Sequence, residues 1–424
     1  MGSVHRCPLI IRLAHFDRPY LFILLACQSR DSCWLSLGRS FTCTAVARVG
    51  VIRCLSTSKI PPWLGQGNLR SFLITGAGGS AGNNVCWSLR VSPDGRGIDL
   101  IGTDSEKTSL ELNRWIDAGY TIPSAKNPRY IQILNKILAR KKVQAVFPQP
   151  DPEVGRVSRD RHLLNASVFL PDRTSVSICL DKFQALSAWH ENGLRTRPAI
   201  LRPPEKSLQT SIENLDFPLW LRARQGAGGL MSCRARSKKD AYYWAMFHWA
   251  QGFDTDFVAE EYLPGRDYCF MSLWYEGQLV TSMVRERLSW VGNRLVGAGG
   301  TSKLNRVVHS EPVNTTAIRA IHSVSKKPHG VFCVDLKEDK KGEPCPTEIN
   351  CRFTTNVHYL TLASLNLARP ELNFAWLAGK LSIGEEIPKC KTTDALPANI
   401  WFTKNTDMGI TMVQDDQWRA VPFN

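Results

Sequence analysis

The chain has 424 residues, 43% apolar and 21% charged, which indicates a folded protein of two or three lobes rather than a disordered chain. Its net charge of +15 comes from scattered basic residues with no run of five or more, which argues against nucleic acid and agrees with anionic small-molecule substrates. The thirteen cysteines have no C-x-x-C or zinc spacing, and no apolar run reaches the eighteen residues that span a bilayer, so we expect neither a zinc site, a disulfide scaffold nor a membrane segment.

The first 68 residues differ from the rest in composition. Their only acidic residues are Asp17 and Asp31, against several arginines and five cysteines. We interpret residues 1–68 first as a non-native extension and second as an organelle transit peptide. A lipoprotein-type cleavage site at residues 24–27 ranks last. We expect this segment to be poorly ordered and outside the fold. The remaining chain is then cytoplasmic, with organelle import as the alternative.

The next region has the pattern of a parallel α/β sheet. A breaker-rich boundary at residues 61–67 precedes the apolar run 72–74, which predicts a buried strand. That strand leads directly into the glycine turn 76–82. Further predicted elements are a helix over residues 83–89 and strands over residues 98–102 and 143–147. A strand, glycine turn, helix and strand in this order predict the start of a doubly wound sheet.

The glycine turn 76–82 supports two interpretations. Backbone N–H groups at such a turn can bind a phosphate, and Asp104 follows the second strand where a ribose-binding acid stands in dinucleotide folds. This pattern is one argument for an NAD-dependent enzyme, although the motif by itself is weak. The same glycines also occur where a helix and a strand pack closely, so both interpretations stay open here.

The second half of the chain has a different sequence pattern, which predicts more antiparallel hairpins. Predicted helices cover residues 181–192, 241–250 and parts of 358–379. Predicted strands cover residues 218–222 and 257–262, and hairpins join 268–274 to 278–285 and 331–336 to 347–353. A glycine loop at residues 225–229 follows the first of these strands.

The last predicted hairpin carries a cluster of polar side chains. Because strand side chains alternate, Glu348, Asn350 and Arg352 share one face. Asp335 lies on the other arm and reaches Glu348 if the arms pair in the usual register. Two close carboxylates repel each other, and a hard divalent cation such as Mg²⁺ relieves that repulsion with oxygen ligands. The pattern therefore predicts a magnesium site, against the alternative of a solvated face with salt bridges.

Other charged residues earlier in the chain agree with a nucleotide site. Lys182 and Arg222 are separate cations at the ends of elements, and the glycine loop can close over phosphates. The strand end at residues 260–263 offers backbone groups that can read an adenine edge. Asp267 is placed to accept hydrogen bonds from ribose hydroxyls. Each residue alone is more often a surface or turn residue.

Taken in order, these motifs resemble the ATP-grasp superfamily. They are Asp181-Lys182, Leu221-Arg222 with Gly228-Gly229, Glu260-Glu261-x-x-x-Gly265-x-Asp267, Asp335, and Glu348-x-Asn350-x-Arg352. The likeness covers about residues 70–390 and is greatest to the synthetase units of the carbamoyl phosphate synthase large chain and related carboxylate–amine ligases. Cys351 stands where proline is common and Asp267 where glutamate is commoner. A single grasp unit without a glutaminase half counts against carbamoyl phosphate synthesis itself.

The resemblance implies an α/β (α+β) fold. A Rossmann-like pre-ATP-grasp domain would cover residues 69–178, and a two-lobed ATP-grasp domain 179–390, with its lid at about 205–260 and a C-terminal segment at 391–424. It also implies the following roles: Lys182, Arg222, Gly228 and Gly229 for the ATP phosphates; Glu260, Glu261 and Leu263 for adenine; Asp267 for ribose; Asp335, Glu348 and Asn350 for the metal; and Arg352 for phosphate.

The implied function is an ATP-dependent ligase that activates a carboxylate as an acylphosphate for attack by an amine or a similar nucleophile. ATP and Mg²⁺ are expected, with Mn²⁺ as an alternative metal. Arg285 and Arg287 are the candidates to hold the carboxylate or the acylphosphate. The expected partners are small carboxylate and amine substrates and a second copy of the chain in a homodimer. An NAD-dependent oxidoreductase and a non-catalytic nucleotide-binding protein are the alternatives.

Overall fold

The computed structural model describes residues 70–203, 205–213, 215–226, 229, 231–290, 302–405 and 409–414, and the backbone of four short strands before them. The chain divides into two compact units, residues 1–68 and 69–424. The four strands of the first unit form two antiparallel hairpins: β1 (Ile11–Leu13) with β2 (Ile23–Leu25), and β3 (Thr44–Ala47) with β4 (Gly50–Arg53). Apart from these strands, the expected poor order of residues 1–68 lies outside the described residues.

The second unit begins with a five-stranded parallel sheet. Its strands are β5 (Arg70–Thr75), β6 (Ile98–Asp104), β7 (Ala118–Thr121), β8 (Ala145–Phe147) and β9 (Ser167–Val168), in the order β7-β6-β5-β8-β9. The helices are α1 (Ser80–Arg90), α2 (Lys107–Glu111), α3 (Tyr130–Lys141), α4 (Asp151–Arg159) and α5 (Arg173–Cys179).

Both faces of this sheet are covered. Phe72 and Ile74 of β5 belong to the same core as α1, whereas Leu73 between them belongs to the core that contains α3 and α4. Because side chains alternate along a strand, these helices lie on opposite faces. The predicted doubly wound arrangement is therefore observed.

A small antiparallel sheet follows helix α6 (Lys182–Glu191). Its strands are β10 (Ala199–Leu201), β11 (Leu219–Ala223), β12 (Cys233–Ala235) and β13 (Phe257–Glu261), in the order β10-β13-β11-β12. Helices α7 (Glu205–Glu213) and α8 (Lys238–Ala250) accompany it. Ser237 and Asp240 form a capping box at the start of α8. This sheet has its own apolar core, as expected for a separate lobe.

The third sheet is antiparallel and has seven strands. They are β14 (Asp267–Tyr275), β15 (Gln278–Trp290), β16 (Ser302–Val308), β17 (Gly330–Glu338), β18 (Pro344–Asn350), β19 (Ile400–Asn405) and β20 (Gly409–Gln414), in the order β18-β17-β14-β15-β16-β19-β20. The helices are α9 (Glu311–Val324), α10 (Val357–Asn366) and α11 (Phe374–Ser382). Both predicted hairpins are present. Strands β16, β19 and β20 and helix α9 were not predicted.

Packing against this large sheet sets the position of the parallel sheet. One face of the large sheet shares a core with α6 and α9, and Trp189 donates from Nε1 to the carbonyl oxygen of Ala320 at 3.0 Å. The other face shares a core with α1, α10 and α11. Thr361 of α10 donates to the Ser88 hydroxyl of α1 at 2.6 Å. These contacts bring the end of β18 near the start of α4.

One local prediction was wrong. The alternation expected over residues 347–353 stops where β18 ends at Asn350, and Arg352 follows in a bend. Ile349 and Cys351 share one core while Phe353 belongs to the other, because the chain turns between them. Arg352 is therefore directed by the bend and not by the strand. Among the described residues, no helix has the length and apolar character needed to cross a bilayer.

Candidate functional site

A cleft lies where α6, the small sheet and β18 meet. It consists of two adjoining open cavities with about 430 and 540 Å³ of atom-free space, open solvent included, and Lys182, Gly226 and Glu348 line both of them. The first cavity is also lined by Asp151, Cys179, Asn350, Cys351 and Arg352, and the second by Trp220, Arg222, Gly229 and Met231. Six of the predicted site residues thus meet in one place.

Lys182 stands at the first position of α6, because Asp181 caps the helix by accepting from two backbone N–H groups. Its Nζ donates to the carbonyl oxygen of Gly226 at 2.5 Å, which ties the helix to the glycine loop. Burial lowers the pKa of Lys182, and the nearby Glu348 carboxylate acts in the opposite direction. The ammonium group therefore lies in the cleft, close to the predicted metal ligands.

Arg222 is held by a buried ion-pair chain. Its Nη2 lies 2.7 Å from Glu260 Oε1, and its Nη1 lies 3.4 Å from Glu348 Oε2. Arg195 approaches the other Glu260 oxygen at 3.0 Å and is also buried. Glu260 therefore serves as the shared counter-charge of two arginines. Arg195 was not predicted, because no motif in its neighbourhood marks it.

The residues predicted for adenine and ribose lie at the end of β13 and the start of β14. The backbone carbonyl of Glu261 accepts from Arg195 at 3.4 Å, and Leu263 is buried. Asp267 accepts from Arg287 Nε at 2.6 Å. Their contacts to a nucleotide stay predictions.

The arms of the metal hairpin pair in the expected register. Asp335 lies directly opposite Glu348, and Asn350 lies two residues further along the same strand. Arg287 donates to Asp335 at 2.7 Å, so each carboxylate has an arginine partner, Arg222 in the case of Glu348. The pairing relieves the mutual repulsion of the two carboxylates.

The donors of this hairpin fit a hard cation. Two carboxylates and an amide supply the oxygen ligands that Mg²⁺ prefers, and Glu348 and Asn350 line the same cavity. Among the described residues, no group of three His, Cys, Asp or Glu side chains could hold a metal ion, either at this hairpin or elsewhere. The hairpin set has only two such residues, so phosphate oxygens would have to complete the coordination.

Arg352 is anchored to the parallel-sheet lobe. Its Nε donates to Asp151 Oδ1 at 2.7 Å, and its Nη1 donates to the carbonyl oxygen of Phe353 at 3.1 Å. Burial acts to lower the pKa of Arg352, but the Asp151 carboxylate raises it on balance. Asp151 opens α4 and was not predicted, because its partner lies 201 residues away in the chain.

The two arginines of β15 have opposite environments. Arg287 bridges two carboxylates, Asp267 and Asp335, which raise its pKa although burial opposes them. Arg285 is 1% exposed and donates to two neutral groups, Ser302 Oγ at 3.2 Å and the side-chain oxygen of Asn305. Sequence reasoning treated the two as equivalent, and the structure separates them.

Two residues of the glycine loop, Gly226 and Gly229, line the second cavity. Gly226 has a φ of 102° and Gly229 a φ of 69°, which favour glycine at both positions. Ser232 donates to the carbonyl oxygen of Gly229 at 2.7 Å. Gly228, which was predicted to contact phosphate, lies outside the described residues.

At the earlier glycine turn, residues 76–82, other residues of the protein occupy the space beside the backbone. The Gly78 N–H donates to Asp104 Oδ2 at 2.9 Å, and the other oxygen of Asp104 accepts from the Glu106 N–H. A Cβ on Gly76 would lie 2.3 Å from Pro150 Cγ. The glycines therefore permit close packing, and the acidic residue caps the turn.

Comparisons with known proteins identify solved structures of similar fold. Neither protein-family profiles nor curated proteins give a match. Solved structures do: N5-carboxyaminoimidazole synthetase from Staphylococcus aureus with ADP is 13% identical, with a TM-score of 0.60 over 79% of this chain and 82% of that one. The L-amino acid ligase of Bacillus licheniformis is 15% identical, with a TM-score of 0.57 over 74% of each chain.

A third similar structure is the biotin carboxylase domain of the 2-oxoglutarate carboxylase from Hydrogenobacter thermophilus, in complex with MgADP, ADP and bicarbonate. It is 14% identical, with a TM-score of 0.57 over 78% of this chain and 73% of that one. These structures share the ATP-grasp fold, and the chain described here has that fold. The fold expected from the sequence motifs is therefore confirmed.

Proposed function

We propose that the protein is an ATP-dependent ligase that activates a carboxylate as an acylphosphate and transfers the acyl group to an amine or a similar nucleophile. The observation that carries this proposal is the cleft where Lys182, Arg222, Glu348, Asn350 and Arg352 meet. Cations, oxygen ligands and an open cavity in one place suit a bound nucleoside triphosphate. The fold shared with structures that hold ADP agrees with this assignment.

The ATP phosphates would lie between α6 and the glycine loop. Lys182 and Arg222 would contact phosphate oxygens, and Glu260 would keep Arg222 oriented toward them. Gly226 and Gly229 allow the loop backbone to approach closely. Adenine would lie beside residues 260–263 and ribose beside Asp267.

A bound Mg²⁺, or Mn²⁺ in its place, would neutralise negative charge on the phosphate oxygens during transfer. Asp335, Glu348 and Asn350 would hold it. For Asp335 to become a ligand, its ion pair with Arg287 must loosen, and Arg287 keeps Asp267 as a partner. Arg287 is therefore a positioning residue for the two aspartates.

Two bond exchanges describe the reaction. A carboxylate oxygen attacks the γ-phosphorus of ATP, the bond to the β-phosphate oxygen breaks, and ADP leaves. The amine then attacks the acyl carbon, inorganic phosphate leaves, and the amine loses a proton. Little covalent chemistry falls to the protein, so the chain acts by positioning and by charge stabilisation, with Arg352 at the phosphate end and Arg285 at the substrate end.

The test is ADP release by the full chain with MgATP and a panel of carboxylates paired with amines. We expect release that requires both substrates, and a product mass that equals their sum minus water. Release that needs no carboxylate, or hydride transfer with a nicotinamide cofactor, would contradict the proposal. Measurement of ATP binding by calorimetry separates a missing substrate from a missing nucleotide site.

We also propose small-molecule partners, a cytoplasmic location and a homodimer. The carboxylase domain in the comparison is described as a dimer, which supports the last of these by analogy alone. Sedimentation of the full chain tests it.

A further inference from the structure

We infer that the activated carboxylate belongs to a substrate with a second anionic group, and that Arg285 binds this second group. The inference rests on the proposed ligase function for the first group only. It concerns a part of the large sheet that lies beside the metal hairpin but is separate from it.

Arg285 is a buried cation without a counter-ion among the residues that the structure describes. Its guanidinium lies 5.7 Å from the centre of the Tyr359 ring, and its other contacts are the neutral side chains Ser302 and Asn305. Its Nε has no hydrogen-bond partner within the described part of the chain. Arg287, two residues away, has two carboxylates. An uncompensated buried charge is unfavourable unless a ligand supplies the opposite charge.

The surroundings of Arg285 favour an anion. His358 is 1% exposed, and its ring lies 4.4 Å from that of Tyr359. Asn84 Nδ2 lies 2.8 Å from His358 Nδ1, and His358 Nε2 has no hydrogen-bond partner among the described residues. Burial, with smaller contributions from Lys404 and Arg285, lowers the pKa of His358 to about 3, although a hydrogen bond to the Thr355 backbone acts in the opposite direction. The ring is therefore neutral and supplies no counter-charge to Arg285.

The place of Arg285 in the sheet separates it from the reacting group. Asp335 and Arg285 both pair with Cys269, one on each side. Two strand spacings, about 10 Å, therefore separate their backbones. Ser302 and Asn305 lie on β16, the strand farther from Asp335, so the Arg285 side chain points away from the metal hairpin. One carboxylate does not reach both positions.

The substrate class is therefore a carboxylate that carries a second carboxylate or a phosphate. Both groups have the charge and the acceptor oxygens that a guanidinium binds. The first experiment needs only the wild-type chain. With MgATP and the amine panel present throughout, ADP release is measured with linear dicarboxylates from succinate to suberate, with their monomethyl esters, and with phosphonocarboxylates of the same lengths.

We expect at least one dianion to exceed its monoester by 30-fold or more in kcat/KM. The series with the larger kcat/KM, dicarboxylates or phosphonocarboxylates, identifies the second group as a carboxylate or a phosphate. Equal values for dianions and monoesters at every length would overturn the inference while leaving the ligase proposal intact.

The second experiment does not depend on turnover. Thermal unfolding of the full chain is followed with the dianions alone, without ATP, in the wild type, Arg285→Met and Arg285→Lys. We expect the dianion to raise the Tm of the wild type, to raise that of Arg285→Lys less, and to leave Arg285→Met unchanged. An absent shift in the wild type would overturn the inference, and so would an equal shift in all three proteins.

The two variants guard against a merely structural role. If Arg285→Met does not fold, Arg285→Lys and the wild type still decide the outcome. For the folded variants we expect KM for ATP to stay within twofold of the wild type, because Arg285 does not line the nucleotide cleft. A parallel rise in KM for ATP and for the dianion would contradict a separate subsite. Absence of ADP release by the wild type, with dianion binding intact, would instead count against the ligase proposal.

Discussion

Two glycine-rich segments of this chain have the composition of a phosphate-binding loop, but they have different surroundings. In the turn at residues 76–82, Asp104 accepts the Gly78 N–H, and Pro150 packs against Gly76. In the loop at residues 225–229, the described glycines border open cavities that Lys182 and Glu348 also line. A glycine motif binds a phosphate only where its N–H groups and the space before them are left free.

The largest expected effect concerns the cleft beside the glycine loop at residues 225–229. Glu348→Gln keeps the side-chain volume but removes a ligand charge, so we expect turnover to fall by about a thousandfold, or about 4 kcal/mol, with folding nearly intact. ADP release and thermal unfolding measure the two quantities. Glu343→Gln is the matched control, because Glu343 is exposed on the same hairpin. Near-normal ADP production by Glu348→Gln would disprove the metal assignment.

The second effect concerns the glycine turn at residues 76–82. Asp104→Ala removes the acceptor for the Gly78 and Glu106 N–H groups, which should lower the free energy of unfolding by about 1–3 kcal/mol. KM for ATP should not change, and neither the wild type nor the variant should bind NAD. Denaturant titration and calorimetry check these outcomes. Tight NAD binding that the substitution abolishes would reverse the comparison of the two segments.

The third effect is a pH dependence. The pKa of Lys182 is lowered mainly by burial, and the facing charged groups are Glu348, Arg222, Asp151 and Glu260. Because phosphate binding needs the ammonium form, KM for ATP should rise several-fold as the pH approaches this lowered pKa from below. Lys182→Arg keeps its charge over the same range and should flatten the profile. Identical profiles for the two proteins would remove Lys182 from the phosphate site.

The smallest effect concerns the first 68 residues. A chain that starts near Leu69 should bind MgATP as tightly as the full chain, because every residue assigned to the cleft lies after that point. Calorimetric titration of both forms gives the comparison. A tenfold loss of affinity on truncation would assign this segment a role in the nucleotide site.

Part of this site could be predicted from the sequence, because it depends on interactions between residues that are close in the chain. Strand alternation places Glu348 and Asn350 together, the hairpin brings Asp335 opposite, and the Asp181 cap starts a helix at Lys182. Glycine positions and buried strand runs predicted the doubly wound sheet and both hairpins. These features depend on residues close in the chain or on a single turn, which is why the pattern carries them. The domain limits at 178 and 390 stay predictions.

Tertiary packing decided the rest. Arg195 meets Glu260 across 65 residues, and Asp151 meets Arg352 across 201, so no local pattern marks either partner. Strands β16, β19 and β20 pair in turn beyond β15, each supplying backbone partners to the strand before it, and the sequence of each strand indicates this pairing only weakly. The contrast between Arg285 and Arg287 arises in the same way. Both are arginines on one strand face, and only the folded sheet brings two carboxylates to one of them and neutral groups to the other.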